Sequence, residues 1–102
     1  MASRIDLHDE LIEVLGNSNV YFQPPESKKL EYPCIVYSLD GVDKMNANDK
    51  IYHHERRYTC IAIGKDPDTT IIDDMLRHFM MVRYSRRYQS DNLYHDVFEL
   101  YY

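Results

Sequence analysis

The stretch of sequence that decides the fold is residues 56–80, RRYTCIAIGKDPDTTIIDDMLRHFM. Its first part, residues 56–63, is rich in β-branched and aromatic side chains and is closed by Gly64, a pattern that predicts a strand. Asp66-Pro67-Asp68 then ends the strand, because proline has no amide donor and a fixed φ. The sequence therefore predicts a strand and a tight acidic turn, and the residues after the turn predict a helix.

That helix is expected to begin near Thr69 or Thr70, either of which can cap it. Asp73 and Asp74 follow where the positive end of a helix dipole favours carboxylates. Apolar residues then recur at the three-and-four spacing of an amphipathic helix, namely Ile72, Met75, Leu76, Phe79 and Met80. We expect this apolar side of the helix to cover the strand.

Length and composition are those of one small globular domain, residues 1–102, with 44% hydrophobic and 13% aromatic residues. The net charge of −5 argues against a dedicated nucleic-acid-binding protein. The charges are unevenly placed, since residues 75–90 contain no carboxylate. Four arginines fall in that interval: Arg77, Arg83, Arg86 and Arg87.

Two further elements are predicted before the central strand. Ser3 and Asp6 form a capping pattern and Gly16 a stop signal, which together predict a first helix. Residues 33–40 alternate as a strand with apolar side chains on both sides, so this strand lies inside the sheet or against a neighbouring subunit. Residues 41–53 are polar and are expected to form a mobile tip or a working surface, unless the strands continue through them as a β-ribbon.

The C-terminal part predicts a strand at 82–88, a turn at Ser90-Asp91-Asn92 and a strand at 93–102. The predicted order is thus α-β-β-α-β-β. This order predicts an α+β domain with a mostly antiparallel four-stranded sheet, two helices packed on it and a long loop between the first two strands.

Neither the cysteines nor the termini indicate export. Cys34 and Cys60 each lie in an apolar strand-like run, where a cysteine is usually a small buried hydrophobe. The N-terminus lacks the basic-then-apolar pattern of a signal peptide, and no apolar run has the length of a membrane span. We expect cytosolic synthesis and no membrane partner.

No pattern for catalysis or metal binding is present. His53-His54-Glu55 resembles a metal site, but adjacent side chains of a strand point to opposite faces and do not readily share one ion. The sequence has no Gly-x-Ser-x-Gly nucleophile pattern and no glycine-rich phosphate loop. We therefore expect no enzyme, no cofactor and no metal.

The arginines at 83, 86 and 87 have two interpretations. They form either an ordinary solvated strand face or a basic patch for DNA or an acidic partner surface. Tyrosine suits strands, yet tyrosine and arginine are also enriched at protein interfaces. The tyrosines near these arginines in sequence, Tyr84, Tyr88, Tyr94, Tyr101 and Tyr102, favour an assembly surface.

Several motifs resemble one family. Asp66-Pro67-Asp68 precedes a helix, and residues 87–98, RYQSDNLYHDVF, lead into Tyr101-Tyr102. Together with the Tyr32-Pro33 opening of the first strand, these are similar to the tail terminator, or tail-completion, proteins of the head–tail module of long-tailed bacteriophages. The resemblance covers residues 30–102, and the N-terminal helix fits by position only.

The resemblance implies two helices against an antiparallel sheet and a homohexameric ring in the virion, assembled in the host cytoplasm. Such a ring caps the tail tube, stops its polymerisation and docks the tail onto the head. The implied partners are further copies of the chain, the tail tube protein and head connector or stopper proteins. DNA is only cargo passing through the lumen, and the family has no catalytic residues to carry over.

Two surfaces are assigned as hypotheses. The first is a subunit or partner interface, in which the arginines could face the acidic N-terminal helix of a neighbour: Arg83, Arg86, Arg87, Tyr84, Tyr88, Tyr94, Tyr101 and Tyr102. The second is a loop contacting an adjacent ring or the lumen: Asp43, Lys44, Met45, Asn46, Asn48 and Lys50. The alternatives are another neck component, such as a stopper or connector adaptor, and an interaction module unrelated to virions.

Overall fold

The computed structural model describes the backbone of residues 3–47 and 51–102 and the side chains of residues 3–42 and 56–102. Its elements in chain order are α1 (Arg4–Leu15), β1 (Val20–Phe22), β2 (Cys34–Ala47), β3 (Ile51–Gly64), α2 (Ile71–His78), β4 (Val82–Ser90) and β5 (Leu93–Tyr101). The predicted α+β class is confirmed.

The sheet has five strands in the order β1-β2-β3-β5-β4. All neighbours are antiparallel except β1, which runs parallel to β2 with Val20 opposite Ile35. The prediction of four strands was therefore wrong, because it left the three-residue segment Val20–Phe22 unpaired. A strand this short is stabilised by pairing with the edge of β2, and no local sequence pattern predicts that pairing.

The predicted long loop between the first two strands was also wrong. β2 continues to Ala47 and β3 begins at Ile51, and the two pair in register from Gly41–Arg57 to Ala47–Ile51. β3 pairs with β5 no further than Arg57, so the rest of the pair is a two-stranded ribbon beyond the sheet. The polar composition of these residues does not prevent the β2–β3 pairing, because strands are hydrogen-bonded through their backbone groups. The β-ribbon alternative is the one confirmed.

Helix α1 follows its predicted caps. The Ser3 hydroxyl accepts a hydrogen bond from the Asp6 amide at 3.2 Å, and the Asp6 carboxylate accepts one from the Ser3 amide at 3.1 Å. Gly16 ends the helix with φ 86°, a value that glycine adopts without strain. The inward residues Leu7 and Leu11 are fully buried.

Helix α2 is shorter than predicted. It ends at His78, and Phe79 is extended, so Met80 lies outside the helix and is 98% exposed. Its buried residues are Ile71 and Met75, whereas Leu76, predicted to face inward, is exposed. At the other end, Thr70 is the N-cap residue but makes no side-chain capping hydrogen bond, whereas Thr69, one residue earlier, accepts a hydrogen bond from the Ile71 amide at 3.3 Å.

Both helices pack on one side of the sheet, and the main core lies between the two layers. It contains Leu7, Leu11, Ile35, Tyr37, Tyr58, Cys60, Ile71, Met75, Phe79, Phe98 and Leu100. The opposite side, called here the outer face, has a smaller cluster of Cys34, Ile63 and Leu93. Cys34 and Cys60 are both buried and unbridged, which confirms their interpretation as small hydrophobes.

Candidate assembly surface

Residues 87–98 belong to the β4–β5 hairpin at one edge of the sheet. Asp91 and Asn92 make the connection, and both have positive φ, 53° and 62°. Ser90 pairs directly with Leu93, which defines a two-residue turn of the type that matches the twist of antiparallel strands. The predicted turn is confirmed, and its short polar side chains tolerate the left-handed conformation.

A bulge at Ser85 decides which side chains share a face. The register shifts between Tyr84 and Arg86, so Ser85 has no partner on β5. Arg83 and Arg86 therefore both lie on the outer face, opposite Glu99 and Val97. Tyr84 and Arg87 lie on the helix-facing side, opposite Phe98 and Asp96.

Arg87 is tied to the inside of its own subunit. Its guanidinium donates to the Asp96 carboxylate at 2.7 and 3.2 Å, and the Asp96 side chain is only 2% exposed. Arg87 also donates to the Pro67 carbonyl at 2.9 Å, which fastens the turn before α2. Tyr84 completes the network by donating to Asp96 at 3.0 Å. These contacts give Arg87 and Tyr84 roles in folding.

The electrostatics of this network agree with its geometry. Burial raises the pKa of Tyr84, and its hydrogen bond to the Asp96 carboxylate raises the pKa further. The same carboxylate raises the pKa of Arg87. Tyr84 and Arg87 therefore both keep their protons as donors to Asp96, an arrangement that stabilises the hairpin against the α2 turn.

The outer-face arginines are far more open. Arg83 pairs with Glu99 across the two strands, and its side chain is 71% exposed. Arg86 lies over the Tyr88 ring, with 5.3 Å between the guanidinium carbon and the ring centroid. Tyr88 in turn stacks on His95, with centroids 4.6 Å apart and planes 13° apart. Arg86 makes no ion pair with any of the residues whose side chains are described.

The remaining tyrosines of the predicted interface, Tyr94, Tyr101 and Tyr102, each make contacts within the chain. Arg87 lies over the Tyr94 ring at 5.2 Å, and Tyr101 is half-buried opposite Arg57. Tyr102 donates a hydrogen bond to Glu10, whose carboxylate also lies 3.0 Å from His78. Burial and the Glu10 carboxylate raise the pKa of Tyr102 to about 12.

The second predicted surface is the ribbon. Asp43, Lys44, Met45 and Asn46 belong to β2, where their backbones pair with residues 52–55 of β3. Asn48 and Lys50 lie outside the described residues. The ribbon places this polar segment away from the core, although as a strand pair and not as the loop that was predicted.

Sequence reasoning missed a pocket of about 450 Å³ at the end of the sheet where β3 meets α2. Its lining includes Leu15, Tyr32, Pro33, Cys34, Ile63 and Asp96. Burial raises the pKa of the Cys34 thiol to about 11, so this thiol is protonated at neutral pH and weakly nucleophilic. Asp96 is already bonded to Arg87 and Tyr84. No sequence signal marks the pocket, because five separate segments contribute to it.

Within the described part of the chain, no group of three or more His, Cys, Asp or Glu side chains could hold a metal ion. His53, His54 and Glu55 belong to the segment whose side chains are not described. Neither described helix has the length and apolar character needed to cross a bilayer.

The chain matches no protein-family model, and a comparison with curated proteins finds no match either. The functional interpretation therefore depends on the sequence motifs and on the surfaces described above.

Proposed function

We propose that this chain is a structural protein of the phage neck, a tail terminator. In this proposal, copies of the chain form a homohexameric ring at the head-proximal end of the tail tube. The ring stops tube polymerisation, joins the tail to the head connector and lets DNA pass through its lumen. It assembles in the host cytoplasm and remains in the virion.

The observation that carries the proposal is the sequence run 87–98, which resembles the terminator family and folds as one hairpin at an open edge of the sheet. Within the run, Arg87 pairs with Asp96, Tyr88 stacks on His95 and Asp91-Asn92 make the turn. Residues of this run are therefore held together by contacts with one another. The two helices on a largely antiparallel sheet also agree with the family's fold.

The surfaces of the subunit support an assembly role. Arg86 and Tyr88 are exposed on the outer face beside Arg83, which is paired with Glu99, and we keep all three as the proposed subunit contacts. The ribbon of residues 41–47 and 51–57 extends beyond the sheet, and we propose that it contacts an adjacent ring or the lumen. Arg87, Tyr84 and Tyr102 bond within the subunit, so we assign them to its folding.

The test is to mix the purified protein with tail tubes that lack a terminator and to image them by negative stain. We expect a density at one end of each tube and no further elongation when tube subunits are added. An acidic protein of similar size, added in the same way, controls for adsorption.

Other outcomes would overturn the proposal. Uncapped tubes together with binding to connector-bearing heads would identify a stopper or connector adaptor. Binding to neither tubes nor heads would remove the phage-neck proposal altogether. A tube that keeps growing with protein bound along its length would exclude termination.

A further inference from the structure

The outward side of α1 forms an acidic ridge. Ile5, Asp9 and Glu13 recur every four residues and therefore line one side of the helix, opposite the buried Leu7 and Leu11. All three ridge residues are exposed, and Ile5 is 57% exposed. Neither Asp9 nor Glu13 makes an ion pair with any residue whose side chain is described.

The outer face beside β4 has the opposite character. Arg83 and Arg86 project from it, and Tyr88, 37% exposed, gives it a flat apolar component. The other half of this face is covered by the chain's own segment near residue 30, where the Glu31 amide donates to the Tyr21 hydroxyl at 3.3 Å. The half at β4 has no such cover from the described residues.

The two surfaces also match in spacing. Arg83 and Arg86 lie opposite Glu99 and Val97, two residues apart on β5, so their side chains are about 7 Å apart. Four residues of α-helix place Asp9 and Glu13 about 6 Å apart along the axis. A helix lying along β4 can therefore present one carboxylate to each arginine.

The position of the surfaces excludes a contact within one molecule. Helix α1 packs over β1 and β2 in the helix layer, whereas the arginines lie on the other side of the sheet at its β4 edge. A second copy has no such restriction. Each copy then uses α1 toward one neighbour and β4 toward the other, the head-to-tail arrangement that closes into a ring when its rotation permits.

We infer that the acidic ridge of α1, formed by Ile5, Asp9 and Glu13, docks on the Arg83–Arg86–Tyr88 surface of the next copy. The inference rests on the proposed ring and supplies its subunit contact. Ile5 packs against Tyr88 in this contact, so Asp9 faces Arg86 and Glu13 faces Arg83. Because the charges are exposed, the association weakens as salt rises.

The experiment is a charge swap measured by sedimentation velocity on the protein alone, at concentrations up to millimolar. Arg86→Glu and Asp9→Lys are each expected to weaken self-association roughly tenfold, since each replaces an attraction by a repulsion. The double variant Arg86→Glu/Asp9→Lys is expected to recover most of the loss. Lys65→Glu is the control for charge reversal, because Lys65 is exposed just after β3 and belongs to neither surface.

Three results would overturn the inference: a wild type that stays monomeric throughout, an Arg86→Glu variant that associates like the wild type, or a double variant no better than the single ones. Circular dichroism of each variant separates loss of contact from loss of folding. Tube capping is measured separately. If the wild type caps tubes but the charge-swap variants associate like it, the proposed function stands and this contact is excluded. If the variants change self-association as expected but the wild type does not cap tubes, the contact stands and the proposed function is excluded.

Discussion

Asp96, buried in the sheet, accepts two hydrogen bonds from the guanidinium of Arg87, at 2.7 and 3.2 Å. A buried carboxylate that loses its cation remains desolvated without compensation, which is more costly than the loss of an exposed pair. This contact divides two adjacent arginines into different roles. Arg87 belongs to the folding of the hairpin, and Arg86 belongs to its surface.

The first prediction concerns these two arginines. Arg87→Met should lower the free energy of unfolding by roughly 2–4 kcal/mol, because Asp96 keeps only Tyr84 as a partner. Arg86→Met should change it by no more than about 0.5 kcal/mol, since Arg86 is exposed. Urea denaturation of both variants measures the difference. Equal losses would mean that the Asp96 contact does not form in solution.

The second prediction is a pH dependence from Tyr102. Its hydroxyl keeps its proton in the folded state up to a pH of about 12, whereas an unfolded tyrosine loses it near 10. Between these values the unfolded chain binds fewer protons than the folded chain, so stability falls as pH rises and is fully present below about pH 10. Denaturation from pH 9 to 12 should show a shallower fall for Tyr102→Phe than for the wild type or for Tyr88→Phe.

The third prediction separates two methionines five positions apart. Met75 lies on the inward side of α2 and is fully buried. Met75→Ala should therefore lower the free energy of unfolding by about 2–5 kcal/mol, through lost burial and the cavity left behind. Met80 is 98% exposed, and Met80→Ala should cost no more than about 0.5 kcal/mol. If thermal unfolding showed a comparable loss for Met80→Ala, α2 would have to continue beyond His78.

The fourth prediction tests the hairpin turn. Asn92→Val should destabilise the protein by about 1–2 kcal/mol, because a β-branched residue tolerates positive φ poorly. Asn92→Gly should be neutral or stabilising by about 0.5 kcal/mol, since glycine is preferred at this turn position. Denaturant midpoints of the two variants give the comparison. A tolerated valine would contradict the two-residue turn.

Features set by neighbouring residues were predictable from the sequence. The caps of α1 at Ser3 and Gly16, the central strand and the Asp91-Asn92 turn each depend on contacts within a few residues. The prediction of Met80 as inward-facing failed because periodicity alone does not locate the end of a helix. Phe79 leaves the helix, and the residue after it follows into solvent.

Features set by distant residues were not predictable in the same way. The parallel pairing of Val20–Phe22 with β2 joins segments that no local pattern relates. The sequence did not decide between a loop and a β-ribbon at residues 41–53, because the hydrogen bonds of a ribbon depend on the backbone of the opposite strand. The Arg87–Asp96 pair could have been predicted from the sequence, since a two-residue turn after Ser90 places these residues opposite each other.

The bulge at Ser85 has a consequence for insertions and deletions. Without residue 85, the strand would read Val82-Arg83-Tyr84-Arg86-Arg87-Tyr88, which alternates regularly between the two faces. Every other residue would keep its present partner on β5, and both ion pairs with Glu99 and Asp96 would survive. A homologous sequence one residue shorter here would therefore build the same surface, whereas a deletion between Arg87 and Ser90 would exchange the two faces of the strand.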